Sequence, residues 1–340
     1  MQNKDYWEQR FIQVTLEQEK QAIKVIKEVE LYYNEALDEI ERDLTKWYVR
    51  YMNAEGIVDI HEAKKNLSKS ELSMFKQNVE QYIELGEKNA MHGGYMNILE
   101  AASARVHISR LDAIKLQIKN HLELMTAKSE IKIKDLLTNI YTDGYYKTAY
   151  EIDKGLNVVV NFDKLDLNKV NKIISRPWNG FNFSDRVWNS KDKLVSTLHK
   201  KLTQNVIVGT PVKNIVKDIR HEFGVSKNAA ERLVLTEQAY FSNLSRKDCL
   251  LDLGCERYQI VATLDSRTSR ICQDMDNQII EASDAKVGET LPPFHPRCRS
   301  TFVPYYKNLQ AERFARNKNG ADLVDNMNYA EWKQKYIEKA

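Results

Sequence analysis

The stretch Ala262-Thr-Leu-Asp-Ser-Arg-Thr-Ser-Arg-Ile-Cys272, completed by Leu291-Pro-Pro-Phe-His295-Pro-Arg-Cys298-Arg-Ser-Thr-Phe-Val-Pro304, interrupts a chain that elsewhere follows helical periodicity. Four of the six prolines (Pro292, Pro293, Pro296, Pro304) fall in it. Proline fixes φ and withholds a backbone donor, so the segment is expected to be non-helical. Just upstream, Tyr258-Gln-Ile-Val-Ala-Thr263 reads as a short strand. Asp276-Asn277 reads as a hairpin turn before Gln278-Ile-Ile280, because Asn tolerates the left-handed conformation such turns need. The expectation is a small knuckle, with Cys272 just ahead of the turn and His295 and Cys298 on a proline-stiffened return.

Outward from the knuckle toward the N-terminus, the pattern becomes helical. Ile26, Val29, Tyr33, Leu37, Ile40, Leu44, Trp47 and Tyr51 recur at steps of three and four, the apolar face of one long helix from Trp7 that Asn53-Ala-Glu-Gly56 ends. Ser68-Lys-Ser-Glu71 has capping-box spacing ahead of a stripe of Leu72, Phe75, Val79 and Tyr82. His92-Gly93-Gly94 reads as a turn between helices; no Gly-Lys-Ser/Thr follows, so it is no phosphate loop. One further helix is expected through Leu111 to Met125, and another from about Lys128 to Tyr150, with Gly144 as a kink or break.

Composition shifts near Lys154-Gly155, where Asn157-Val-Val-Val-Asn-Phe162 suits a short strand and Ser175-Arg-Pro-Trp-Asn-Gly180 a turn. Phe181, Phe183, Val187 and Trp188 then read as a packing cluster rather than a nucleic-acid stacking platform. A helix from about Asp192 should stop at Gly209, with Thr210-Pro211 starting the next, Phe223-Gly224 ending it, and Ser226 capping a third as far as Leu251. Two helices about such a turn also fit a DNA-reading helix-turn-helix, but Glu231 and Glu237 beside Arg232 make a poor basic recognition surface. The fold class is therefore mainly α. It comprises a long-helix bundle or array over 1–155, a mixed, mostly helical middle over 156–250 and a compact α+β knuckle over 251–306. A polar tail over 307–340 carries a short apolar pattern of Leu323, Tyr329 and Trp332 suited to a helix.

The whole composition excludes several classes. Hydrophobic residues make up 42% and charged residues 29%, with a net charge of +3 from 51 basic and 48 acidic side chains, so no global field draws the chain to DNA or an anionic membrane. The N-terminus is charged from the start, so no signal peptide is expected, and no run approaches the ~20 apolar residues that span a bilayer. Four cysteines without a regular framework point to a reducing compartment.

Leu264-Asp-Ser-Arg-Thr268, Ile271-Cys272, Met275-Asp276 and Pro293-Phe-His295-Pro-Arg-Cys298-Arg299 carry a resemblance that extends upstream to Phe223-Gly-Val-Ser226 and Thr236-Glu237. A looser match covers Trp178-Asn-Gly-Phe-Asn-Phe-Ser-Asp-Arg-Val-Trp188. Together these stretches resemble the minor capsid or head-morphogenesis proteins of tailed bacteriophages, from about mid-chain to Tyr306. Many members of that family carry Cys-x-x-Cys before the turn and His-x-x-Cys-x-Cys after it; here Ser269 and Ser300 replace the first and last cysteines. The resemblance implies a low-copy structural protein of the phage head, assembled in the host cytoplasm and retained in the virion near the portal vertex. Its implied partners are portal, scaffold or major capsid protein, with phage DNA touched at most nonspecifically and no membrane. The motif residues are Asp265, Arg267, Thr268, Cys272, Asp276, Pro293, His295, Pro296, Cys298 and Arg299.

The Cys/His group admits two readings. A structural zinc site normally has four ligands, and only Cys272, His295 and Cys298 converge by spacing, so a fourth would come from Asp265, Asp274, Asp276, Cys249 or Cys255. The expectation adopted is no cofactor, with Cys272 and Cys298 as buried thiols and His295 as a hydrogen-bonding turn cap. No Gly-x-Ser-x-Gly, His-Glu-x-x-His, nucleotide fingerprint or nuclease-type carboxylate cluster occurs, so no catalytic residues are assigned. The rivals are a sequence-nonspecific DNA-binding packaging or ejection accessory and a zinc-dependent hydrolase using Asp265 as base.

Overall fold

The computed structural model describes residues 3–88, 93–156 and 164–306. Nine helices occur among the described residues: α1 (Asn3–Tyr51), α2 (Ile60–Lys64), α3 (Lys69–Lys88), α4 (Gly93–Ser103), α5 (Arg110–Leu156), α6 (Leu167–Ile174), α7 (Phe183–Val208), α8 (Val212–Asp252) and α9 (Arg270–Met275). Three short strands complete the fold: β1 (Arg257–Val261), β2 (Ile279–Glu281) and β3 (Thr301–Pro304). The mainly α class with a small α+β C-terminal part is thus what the chain adopts. No helix of the described residues is long and apolar enough to cross a membrane. The expected strand over Asn157–Phe162, the His92 turn residue and the tail pattern from Leu323 to Trp332 lie outside the described residues.

The described residues fall into two compact units. One gathers the chain up to Val25, Lys134–Phe183 and the residues from Arg232; the other gathers Ile26–Ile133 and Ser184–Glu231.

In the second unit the apolar stripes do what their spacing requires. Phe75 and Val79 of α3 close a core with Tyr95, Leu99 and Ala102 of α4 and Ala113 of α5. The Ser68–Glu71 capping box forms, with the Ser68 N–H donating to Glu71 Oε2 at 2.7 Å and the Glu71 N–H to Ser68 Oγ at 3.4 Å. Tyr51 Oη also donates to Glu71, at 2.6 Å. Helix α7 ends as expected at Gly209 (φ +76°), where the Thr210 N–H bonds Asn205 O and the Gly209 N–H bonds Val206 O, a Schellman arrangement.

Three expected breaks are absent. Helix α5 runs unbroken through 126–128 and through Gly144, and α8 runs unbroken through Gly224. At 223–226 the reason is packing: Phe223 is fully buried edge-on to Tyr33, and Ser226 Oγ shares a hydrogen bond with Tyr33 Oη at 3.3 Å instead of capping a new helix. These contacts outweigh the ~1 kcal/mol propensity cost of one glycine. With no turn in α8, the helix-turn-helix reading has no structural basis. At Gly144 the reason is proximity, since a Cβ there would lie 2.8 Å from Gln18 Nε2 and against Ser245. Glycine marks close helix packing here, not a break.

In the first unit the sheet has the order β2-β1-β3, antiparallel throughout, with Tyr258 opposite Ile280 and Pro304 and Ile260 opposite Phe302. Its inner face joins Trp7 and Phe11 of α1, Ile152 and Leu156 of α5, and Leu250 of α8 in one apolar cluster. Arg246 is fully buried inside this unit. It stacks over Phe11 and Phe302, donates to Phe302 O (3.1 Å), Thr15 Oγ1 (3.3 Å) and Thr301 Oγ1, and burial pushes its pKa down to about 10. The Ser175–Gly180 turn forms, Asn179 and Gly180 both taking positive φ, and Trp178 stacks on Tyr240 at 4.2 Å. Of the aromatic cluster expected nearby, Phe183 is buried whereas Phe181 is exposed.

Candidate metal centre

Two details of the expected knuckle change. Cys272 lies on a short helix, α9, although the stretch was expected to be non-helical; the helix-excluding prolines are all in the later part, from Pro292. Ser269 is the N-cap of that helix, its Oγ accepting the Cys272 N–H at 3.4 Å. The Asp276-Asn277 turn therefore joins a helix to β2 rather than strand to strand. Asn277 takes φ +68° as foreseen, and Asp276 Oδ1 accepts the Ala262 N–H at 2.9 Å.

The Leu264–Thr268 loop is closed by its own side chains. Thr268 Oγ1 donates to Thr263 O (2.6 Å) and accepts the Asp265 N–H (2.7 Å), while Asp265 Oδ1 accepts the Arg267 N–H at 2.8 Å. Arg299 grips both Asp265 oxygens, each at 2.7 Å. The Arg299 fork and the Arg267 N–H hold the Asp265 carboxyl far below the ordinary carboxylate range, so it is a poor proton acceptor for hydrolysis. The exposed Arg267 side chain lies 3.7 Å from the same carboxylate.

On the return, the Pro292–Pro293 peptide bond is cis and Arg297 has φ +59°. Its N–H donates to Thr236 Oγ1 of α8 at 3.1 Å, so the upstream pair Thr236-Glu237 reaches the knuckle through Thr236. Glu237 is buried and accepts Trp178 Nε1–H at 2.8 Å, which ties the outermost stretch of the resemblance to the same helix. Asn243 and Arg246, farther along α8, bond the entry to β3 through Ser300, Thr301 and Phe302. Neither residue stands out in the sequence, because a polar residue on a helix face looks like solvent-facing surface until its partner is known.

Cys272, His295 and Cys298 converge, their ligand atoms all within 4.8 Å of one another. Cys272 Sγ lies 3.1 Å from His295 Nε2 and 3.7 Å from Cys298 Sγ. Both cysteines are buried, and Ala262 and Phe294 pack on them. His295 Nδ1 faces Pro296 O at 2.9 Å; a carbonyl only accepts, so Nδ1 carries the proton and Nε2 presents its lone pair to the sulfurs. Burial pushes the Cys298 thiol up, against hydrogen bonds from the Phe294 and Ser300 backbone and the Ser300 hydroxyl. Four of the other possible ligands are engaged elsewhere. Cys249 packs among Tyr145, Tyr146 and Tyr150, Cys255 donates to Arg257 O, and Asp265 and Asp276 are held as described.

Outside the knuckle, the sequence reading passed over a cavity of about 540 Å³ in the second unit. Asp43, Tyr82 and His121 line it, with His121 Nε2 2.9 Å from Asp43 Oδ2 and 3.0 Å from Tyr82 Oη.

Residues 196–303 match the family model described as Phage Mu protein F like protein. This part of the chain is similar to that phage head-morphogenesis family. The Mu F-like segment begins within α7, includes all of α8 and ends in β3, so it holds every motif residue of the knuckle. The chain is also 20% identical over 244 residues to NAD(+)--arginine ADP-ribosyltransferase EFV of Enterococcus faecalis, a match covering 68% of this chain and 50% of that protein. It thus spans about half the length of that relative. No solved structure matches.

Proposed function

We propose that this chain is a minor structural protein of a phage head, joining the procapsid near the portal vertex and doing no turnover. The observation that supports it is the Mu F-like match over 196–303, whose part from Thr236 onward includes the hydrogen bonds that join the second half of α8 to the knuckle and the sheet. In this reading the knuckle is a rigid module and the long helices offer surface to portal, scaffold or coat protein. The loop charges are consistent with it, since Asp265 and Arg299 neutralise each other instead of presenting a free base or phosphate clamp. The test is mass spectrometry of purified procapsids and virions. A few copies per particle are expected, co-purifying with the portal, and absence from both particles overturns the reading.

The relative's printed activity motivates a second reading, transfer of ADP-ribose from NAD to arginine. The match covers half of that enzyme, so the other half is open as the seat of its activity. Incubation of this chain with NAD and an arginine peptide distinguishes the two: the structural reading expects nicotinamide release at the protein-free rate, and protein-dependent release supports the transferase. The DNA-accessory reading predicts a duplex-DNA shift that weakens steeply with salt. The structural reading expects no such shift.

A further inference from the structure

Three side chains from two separate pieces of backbone meet at one point in the knuckle. Cys272 comes from α9, and His295 and Cys298 from the proline-rich return, joined in a turn by the Cys298 N–H to His295 O at 3.1 Å. We propose that Cys272, Cys298 and His295 bind one zinc ion through two thiolates and Nε2, with a solvent molecule in the fourth position. The ion would clamp α9 to the return.

Distance supports this first. Two sulfurs on a tetrahedral zinc with bonds of about 2.3 Å stand about 3.8 Å apart. Cys272 and Cys298 stand 3.7 Å apart. The 3.1 Å from Cys272 Sγ to His295 Nε2 is shorter than the corresponding edge, about 3.6 Å, by an amount that a small imidazole rotation supplies.

Orientation supports it next. Ligating histidines usually donate their second ring N–H to a carbonyl or carboxylate, which fixes the tautomer. Pro296 O fills that role at 2.9 Å and leaves the Nε2 lone pair aimed at the sulfurs.

Charge closes the argument. Two thiolates and a neutral imidazole carry −2 and balance Zn²⁺ in a site whose sulfurs are buried. On binding, each thiol releases its proton to solvent as its sulfur–metal bond forms, so the step needs no oxidant or reductant. Two sulfurs and one nitrogen favour zinc over calcium or magnesium, which take oxygen ligands. The assignment uses only the three side chains and their neighbours, so it stands or falls separately from the head-protein reading.

The test uses the full chain, purified with reductant and without added metal. Elemental analysis after gel filtration should find about one zinc per chain. Replacing zinc with Co²⁺ should give a thiolate-to-cobalt charge-transfer band and tetrahedral visible bands. C272S and C298S should each lose the ion, whereas the C249S/C255S double variant should keep it. If a cysteine variant fails to fold, wild-type alkylation gives an independent answer: zinc should protect Cys272 and Cys298, and a chelator should remove that protection. Cobalt spectra without a thiolate band, or equal alkylation with and without zinc, overturn the proposal.

Discussion

The two halves of α8 are built on different principles. Up to Glu231 the helix buries Ile215, Ile219 and Phe223, an apolar stripe with polar residues elsewhere. From Arg232 onward it buries Glu237, Gln238, Ser242, Asn243, Ser245 and Arg246 beside Val234, Phe241 and Leu250. The first half is held by apolar packing and tolerates a glycine; the second is held largely by specific hydrogen bonds to the elements packed on it. The motif-bearing knuckle sits on the second half. A polar interface specifies one arrangement of its partners because a buried donor left unpaired costs ~1–3 kcal/mol, whereas apolar contacts tolerate sliding.

The strongest way to test this contrast is truncation in each half, followed by denaturant unfolding. Phe223→Ala should lose about 4 kcal/mol by leaving a cavity beside Tyr33. Arg246→Ala should lose about 3 kcal/mol, because the Phe302 carbonyl and the Thr301 and Thr15 hydroxyls lose their donor. Arg246→Met keeps much of the stem but none of the donors. If it proves as stable as wild type, the second half is apolar packing after all and the contrast fails.

Glycine substitution sharpens the comparison at smaller cost. Gly144→Ala should destabilise by ~1–2 kcal/mol despite alanine's higher helix propensity, because the new methyl meets Ser245 and Gln18 in the polar interface. Gly224→Ala, in the apolar-stripe half, has nothing within 4 Å of the added Cβ and should stabilise by ~0.5–1 kcal/mol. Thermal melts of the two variants should therefore move in opposite directions.

A pH titration of the second unit checks the capping box. Burial pushes Glu71 up, but the Tyr51 hydroxyl, the Ser68 hydrogen bonds and the Arg110 charge together bring it down to about 2. A carboxylate depressed on folding contributes stability that is present above its unfolded pKa, near 4.5, and is lost as pH falls toward 2. Glu71→Gln should cost about 1 kcal/mol at neutral pH and flatten the acid limb of the stability curve between those values.

Much of the architecture was legible in residue order. Apolar spacing and caps identified α1, α3 and the stop of α7, while the prolines, Asn277 and Tyr258–Val261 located the knuckle and its central strand. Helix breaks at Gly144 and Gly224 were misread, because local propensity of ~1 kcal/mol loses to packing that a linear reading does not see. The residues of the Cys/His group were readable from their spacing. Arg246, Asn243 and the Asp43–His121–Tyr82 contact were not, because a polar side chain looks the same in sequence whether it faces water or a buried partner.

Periodicity, turn chemistry and the motif residues are properties of short stretches, so the sequence alone determined that the chain is mainly helical and ends in a proline-stiffened knuckle. Which helices run without interruption, which polar groups are buried, and how closely two sulfurs approach an imidazole depend on partners distant along the chain. Those were decided only by the tertiary structure, since burial energy and hydrogen-bond geometry exist only once the partners have met.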